Sequence, residues 1–313
     1  MSATSHRPPR ALLSARRLQV RIRRQRWLRP PDVVHVLDNL NLDLLPGEIV
    51  GFVGEPGCGR SGLIAALTGE LPLRSGGYDL LDGLDPNTAI ARLPPDAGLP
   101  PRRSVARWLK AAARRRRLGD PDAAVGRALQ RAGIDPATAA RSLRDLSPGD
   151  RRRAALAFAL LADPRILLWD DFATGLGEAE IQSLHQTLIR LVRSDGLAAG
   201  LTGADPQALA TIVDRLVVLS LGRVMEQGPV GVVLDQPAHP YTRALIERAA
   251  AGAAGQPLPG PAVDPANPPM GCVFHPRCPM AEAACVRTEP HLQRTPAPTH
   301  YAACHFAPRP PEA

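Results

Sequence analysis

Apolar and polar positions alternate along residues 18–22 and again along 33–45, the period of strands with one face in a core. Pro46-Gly47 predicts a turn, and residues 48–53 form a short apolar run, as expected of a parallel strand buried on both faces. A glycine-rich segment, Gly54-Glu55-Pro56-Gly57-Cys58-Gly59-Arg60-Ser61-Gly62, leads into an apolar helical stretch at 63–67. From Pro94 to about Asp145 the pattern is helical and rich in Arg, Ala and Pro. An apolar helix and strand follow over 156–168 and end in Asp170-Asp171. A helix at 181–192, a strand at 197–201 and a hairpin around Leu221-Gly222-Arg223 come next. Beyond Gln236 the chain is proline-rich and loop-like, with one helix near 242–250. This succession predicts an α/β layered core over 11–235, a helical insertion at about 94–149 and an extension over 236–313, with 1–10 as a disordered tail.

Composition narrows the class. At 313 residues, 44% of them hydrophobic, the chain can hold one full α/β domain and an appendage. No apolar stretch has the length of a membrane-spanning helix, and no apolar signal core follows the polar start, so a cytoplasmic chain is expected. The net charge of +8 comes almost wholly from arginine, Lys110 being the one lysine. Its densest run, Arg114 to Arg117, reads as a solvated helix face, and no basic-aromatic pattern of a nucleic-acid reader is present. Five cysteines suit a reducing compartment. Cys58 lies in the glycine-rich loop, whereas Cys272, Cys278, Cys285 and Cys304 crowd the tail.

The order of strand, glycine-rich loop and helix suits phosphate. Glycines let backbone N–H groups converge on an anion, the helix N-terminus adds partial positive charge, and the Ser61 hydroxyl can reach Mg²⁺. Downstream stand Leu146-Ser147-Pro148-Gly149-Asp150, the helical Arg151 to Ala157, and Pro164-Arg165-Ile166-Leu167-Leu168-Trp169-Asp170-Asp171. This set resembles the phosphate loop, signature motif and Walker B strand of the ATP-binding-cassette ATPases, with Leu176-Gly177 where that family has its D-loop. Gln236-Pro237-Ala238-His239-Pro240-Tyr241-Thr242-Arg243-Ala244-Leu245 and Cys272-Val273-Phe274-His275-Pro276-Arg277-Cys278-Pro279 are similar to tail elements of the oligopeptide, dipeptide and nickel importer ATPases. The resemblance implies a P-loop NTPase fold of that cassette type, with a RecA-like core, an antiparallel β-subdomain, a helical subdomain and a cysteine-containing extension. It implies ATP in the loop 54–62, with Mg²⁺ held by Ser61 and Asp170.

The same resemblance exposes departures from the catalytic pattern. Arg60 stands for the phosphate-binding lysine, and a planar fork replaces a compact ammonium. Asp171 stands for the glutamate that polarises water, one methylene short for a distance-critical role. Leu93 falls at the Mg²⁺-sensing glutamine, Gly203 at the γ-phosphate-sensing histidine and Gly177 at the D-loop aspartate. No glutamine lies between residues 75 and 129 and no histidine between 186 and 238, so a shifted alignment restores neither. Ile22, or Trp27 in its stead, falls where the family stacks adenine. Ser147 and Gly149, the signature donors to a partner's γ-phosphate, persist; Pro148 removes one donor and Asp150 adds negative charge.

The expected function is therefore an ATP-binding, poorly hydrolysing subunit of a peptide-type importer. It would pair with a second, intact ATPase subunit beneath two membrane permeases, at the cytoplasmic face, with a substrate-binding protein acting indirectly. The alternative is a structural or regulatory subunit that binds no nucleotide; a soluble nucleic-acid-acting cassette is a third reading. The four tail cysteines match the ligand number of a tetrahedral zinc or a four-iron cluster, and the resemblance favours [4Fe-4S]. Two disulfides or buried thiols remain the other reading.

Overall fold

The computed structural model describes residues 10–26, 29–93, 102–172, 175–254, 256–261 and 263–310. Two long strands, β1 (Leu13–Arg26) and β2 (Arg29–Leu44), pair antiparallel, and β4 (Ser75–Leu80) adds to the other edge of β1. Both run well beyond the stretches their alternation predicts. Cross-strand pairing carries them past the buried face of Leu13, Ala15, Leu18 and Val20.

The second sheet has eight strands in the order β10-β11-β9-β8-β3-β7-β6-β5. Its parallel centre is β5 (Ile90–Leu93), β6 (Ile166–Trp169), β7 (Ala198–Gly203), β3 (Ile49–Val53) and β8 (Arg215–Ser220). Antiparallel β9 (Arg223–Pro229) turns back along β8, as the hairpin signal predicts. Every residue of β3 is buried, in keeping with its unbroken apolar run. Its side chains alternate between two cores: Ile49 and Val53 face the helical insertion, while Val50 and Phe52 face the β1–β2 layer. The sheet thus lies between two layers, with the helix α1 (Arg60–Leu67) springing from the C-terminal end of β3.

A short helix α2 (Pro86–Ala89) precedes β5, and α3 (Val105–Arg115), α4 (Pro121–Ala132) and α5 (Pro136–Ala140) build the insertion. Residues 94–101 of the predicted insertion, Trp27 and the tail 1–9 lie outside the described residues. Arg114 to Arg117 are exposed at the end of α3, a solvated face as expected. The helix α6 (Pro148–Leu160) leads to β6, and α7 (Glu178–Asp195) runs three residues beyond the predicted helix at each end. Two short helices, α8 (Pro206–Ala210) and α9 (Val230–Asp235), flank β8 and β9.

The extension folds against this core. The helix α10 (Pro240–Ala250) is capped by His239, whose Nδ1 accepts the N–H of Tyr241. After α11 (Ala283–Arg287), the two-residue strands β10 (Gln293–Arg294) and β11 (Tyr301–Ala302) continue the main sheet beyond β9. Glu226 of β9, wholly buried, accepts from the N–H groups of Ala238 and His239 and bonds His300 Nε2 at 2.7 Å. Two further contacts reach the glycine-rich loop. The Tyr241 hydroxyl accepts the Glu55 N–H (2.9 Å) and donates to Leu219 O (3.2 Å). Arg277 grips the Glu55 carboxylate with both terminal nitrogens, at 2.9 and 2.6 Å, and the Leu258 N–H binds the same carboxylate.

Arg277 and Glu55 side chains are only 7% and 11% exposed, so removing one partner strands a buried charge. Arg277→Ala is expected to lower unfolding stability by about 3–5 kcal/mol, and the double variant Glu55→Gln/Arg277→Met to recover most of that loss. Chemical denaturation midpoints test this; a single variant within about 0.5 kcal/mol of the wild type would show that the pair does not anchor the extension.

Candidate functional site

The loop between β3 and α1 has its shape from two glycines. Gly59 sits at φ +109°, where a Cβ would stand 2.6 Å from Val36 O, and Gly54 is left no room by Leu219 O at 2.3 Å. Cys58 is buried beneath the loop, and its carbonyl accepts the Gly222 N–H at 2.7 Å. Burial pushes its thiol above the ordinary range, so Cys58 packs as part of the core. Gly57 and Pro56 line the outer rim, facing a cleft whose far wall is residues 257–261 and Arg277 of the extension.

Ser61 and Asp170, the pair expected to meet Mg²⁺, are brought together: Ser61 Oγ donates to Asp170 Oδ1 at 3.0 Å. Thr202 Oγ1 donates to the same oxygen at 2.8 Å and accepts the Asp171 N–H at 2.7 Å. Hydroxyl and carboxylate are the oxygen donors that Mg²⁺ takes. A cation of the chain itself is also there. Arg92 Nη2 lies 3.4 Å from Asp170 Oδ2, and Arg92 Nη1 pairs with Glu70.

The positions expected from the sequence to be degenerate have definite places. Leu93 is 1% exposed in the core facing the insertion, and its only link to the site is a carbonyl accepting the Asp170 N–H (3.0 Å). Gly203 ends β7, and its carbonyl accepts a hydrogen bond from Arg60 Nη1. The guanidinium of the loop thus reaches toward the space where the family keeps its histidine. Asp171 follows Asp170 with φ +54°, a left-handed backbone held by the Thr202 hydroxyl. Gly177 caps the start of α7. Ile22 is exposed on β1, and Trp27 lies outside the described residues.

The signature segment Leu146 to Asp150 starts α6. Ser147 is the N-cap, its Oγ accepting the Asp150 N–H at 3.0 Å. Pro148 occupies the first helical position, where a missing N–H removes no intrahelical bond, although it leaves one fewer N–H at the helix start for an anion. The Gly149 N–H is engaged by Glu180 Oε1 at 2.9 Å, and Glu180 Oε2 accepts from Gly177 N at 3.2 Å. The Gly149 N–H first, then that of Gly177, hold this carboxylate below its usual range, with the Ser147 hydroxyl also bonded to it. Glu180, Arg92 and Thr202 are site residues that motif reading does not single out. A glutamate three residues into a helix is a capping signal for Glu180; for Arg92 the signal lies only in strand register, Arg92 pairing with Leu168 beside Asp170.

The tail cysteines converge. Cys272, Cys278, Cys285 and Cys304 line one small cavity with His239, His275 and His305, and none is in a disulfide. Among the described residues, however, no group of three or more His, Cys, Asp or Glu is placed to hold a metal ion. The expected metal centre is therefore not supported as a formed site. Burial pushes the Cys272 thiol up to about 11, and Cys278 and Cys304 upward too, as for neutral packed thiols.

Comparison with known proteins accounts for this arrangement. The ABC transporter family model matches residues 37–174, and that of the oligopeptide/dipeptide transporter C-terminal region matches 225–285. A peptide import ATP-binding protein of Brucella ovis is 33% identical over 291 residues, covering 86% of this chain and 91% of its own. The oligopeptide transport ATP-binding protein AppF of Bacillus subtilis is 30% identical, covering 87% and 90%. Among solved structures, cbiO1 from Clostridium perfringens, part of the ABC transporter complex cbiONQ, superposes with a TM-score of 0.61 at 22% identity over 72% of this chain and 91% of its own. The ATP-binding cassette MJ0796 bound to ADP and Pi gives 0.59 at 19% identity over 70% and 98%. On this identity and coverage, the chain belongs to the ABC transporter ATP-binding proteins, in the group that carries the oligopeptide/dipeptide transporter C-terminal region.

Proposed function

We propose that this chain is the ATP-binding subunit of an importer for peptides or related solutes, with a hydrolytically weak site of its own and a signature segment that serves a partner ATPase subunit. Names of the most similar relatives support the peptide reading. The observation that carries the weak site is the pairing of Arg60 with the Gly203 carbonyl: the loop cation is turned to a position emptied of its histidine. No helix among the described residues is long and apolar enough to cross a membrane. The working assembly is then two ATPase subunits, this one and an intact different chain, on the cytoplasmic side of two permease subunits fed by a substrate-binding protein. Preferential affinity of the closed ATPase pair for ATP over ADP drives the cycle.

The purified chain is expected to bind ATP and to turn it over well below about 1 s⁻¹, the low end of enzymatic rates. Because residues of one catalytic unit are not additive, Asp171→Glu alone restores little. Turnover at or above about 1 s⁻¹ by the isolated chain overturns the weak-site reading. Absence of any ATP binding favours a purely structural subunit.

In the intact transporter, Ser147→Ala is expected to reduce ATPase activity far more than Asp171→Asn, since Ser147 serves the partner's site and Asp171 only its own. Equal, large losses would mean that the chain's own site works; two silent variants would leave it a scaffold.

The finer reading places a [4Fe-4S] cluster on Cys272, Cys278, Cys285 and Cys304, supported by the family resemblance and by the convergence of four thiols on one cavity. A four-iron cluster takes each thiolate on a separate iron, so its ligands need not meet at one ion, whereas zinc requires that they do. Anaerobic purification is expected to yield brown protein with about four irons per chain. Colourless protein without iron leaves the cavity to neutral thiols.

A further inference from the structure

We propose that Arg92 is a built-in cation at the metal position, so that nucleotide binding by this chain depends little on Mg²⁺. The inference rests on the ATP-binding reading above and concerns the same loop. Cassette chemistry uses the divalent ion to neutralise the β- and γ-phosphates, with oxygen ligands drawn from the loop serine, a carboxylate and a glutamine. This chain has the first two in Ser61 and Asp170 but not the third: Leu93 offers no side-chain oxygen and is buried in the core. One residue earlier on the same strand stands a fixed positive charge. β5 pairs with β6 so that Arg92 lies opposite Leu168, two residues before Asp170; both side chains belong to the sheet face that carries α1.

The contacts follow that register. Arg92 Nη2 approaches Asp170 Oδ2 at 3.4 Å, on the oxygen that Ser61 and Thr202 leave open, for their hydroxyls both engage Oδ1. Glu70, in the turn after α1, holds the guanidinium from its other side. Among the described residues the buried Arg92 Nε–H has no acceptor, so the fork is anchored but not saturated by them. Its side chain is 22% exposed against 8% for Asp170, so the pair is shielded enough for its charges to matter. Arginine stays protonated at any working pH, and its fork suits phosphate as well as carboxylate. Meanwhile Arg60, the loop's own cation, is drawn to the Gly203 carbonyl. Arg92 thus supplies positive charge where a divalent ion would stand, and an incoming ion meets a like charge on its carboxylate ligand.

The test is equilibrium titration of the purified full chain with a fluorescent ATP analogue, in excess Mg²⁺ and in EDTA. The wild-type dissociation constants are expected to agree within about threefold in the two buffers. Arg92→Gln is expected to weaken binding in EDTA by about tenfold or more and to restore a Mg²⁺ dependence of that size, while Arg92→Lys keeps the wild-type indifference. Wild-type binding tightened about tenfold or more by Mg²⁺ overturns this inference and leaves ATP binding standing. So does an Arg92→Gln chain, folded by circular dichroism, whose two affinities match the wild type's. A wild-type chain that binds nucleotide in neither buffer overturns the ATP-binding reading, and this inference with it.

Discussion

The buried ion pair between Glu55 and Arg277 governs how the phosphate loop is held. Two opposite charges withdrawn from water are stable only when hydrogen bonds meet both, and Glu55 has its share from two Arg277 nitrogens and the Leu258 N–H. The arginine lies 222 residues along the chain, so the second residue of the loop is positioned by the extension rather than by its own strand. Tyr241 acts in the same direction on the Glu55 backbone. The extension is in turn fixed by β11 pairing with β9 and by the His300–Glu226 contact. The cysteine cavity adjoins this brace, Cys278 following Arg277 directly in the chain.

Two of the departures expected from the sequence, Arg60 and Gly203, are joined by one hydrogen bond. A guanidinium reaches further than an ammonium, and Arg60 spends that reach on a carbonyl at a position without a side chain. A Cβ at Gly203 would stand 3.1 Å from the Leu209 side chain, which would have to shift by a few tenths of an ångström. On the opposite side of the loop helix, Leu93 gives its side chain to the core while Arg92 brings charge to Asp170. Both positions, Gly203 and Leu93, are bordered by arginines, and it is on these that the proposed weak hydrolysis rests.

Much of this was legible in the sequence, and what was not has identifiable physical causes. The loop, Ser61, Asp170 and the signature segment lie in contiguous strings whose local pattern reports their structure, and β3 is announced by its apolar run. β4 and β5 escape notice because Ser75–Leu80 is glycine-bearing and polar, and Ile90–Leu93 is too short to show a period. Pro148 at the first helical position costs the helix no bond of its own, which the motif alone does not tell. Arg92, Glu180 and Arg277 act on residues 78, 31 and 222 positions away. No motif carries such a contact; only the register of β5 on β6 and the docking of the extension create it.

Glu180 carries the sharpest consequence for how two such subunits meet. On the proposed reading, the N–H of Gly149 and the hydroxyl of Ser147 are the groups a partner's γ-phosphate would use, and both are engaged by a carboxylate of the same chain. An anion already rests in the anion cradle, its charge stabilised by the same donors. On that reading, a phosphate arriving from a partner would have to displace that carboxylate and overcome like-charge repulsion over a few ångströms. The displaced Glu180 would still have the Gly177 N–H at the start of α7, beside the D-loop, and Arg153 nearby to receive its charge. Closure of the pair therefore sets one carboxylate against one phosphate for a single set of donors. The affinity of the closed state is the difference between those two claims rather than the full strength of the phosphate contact.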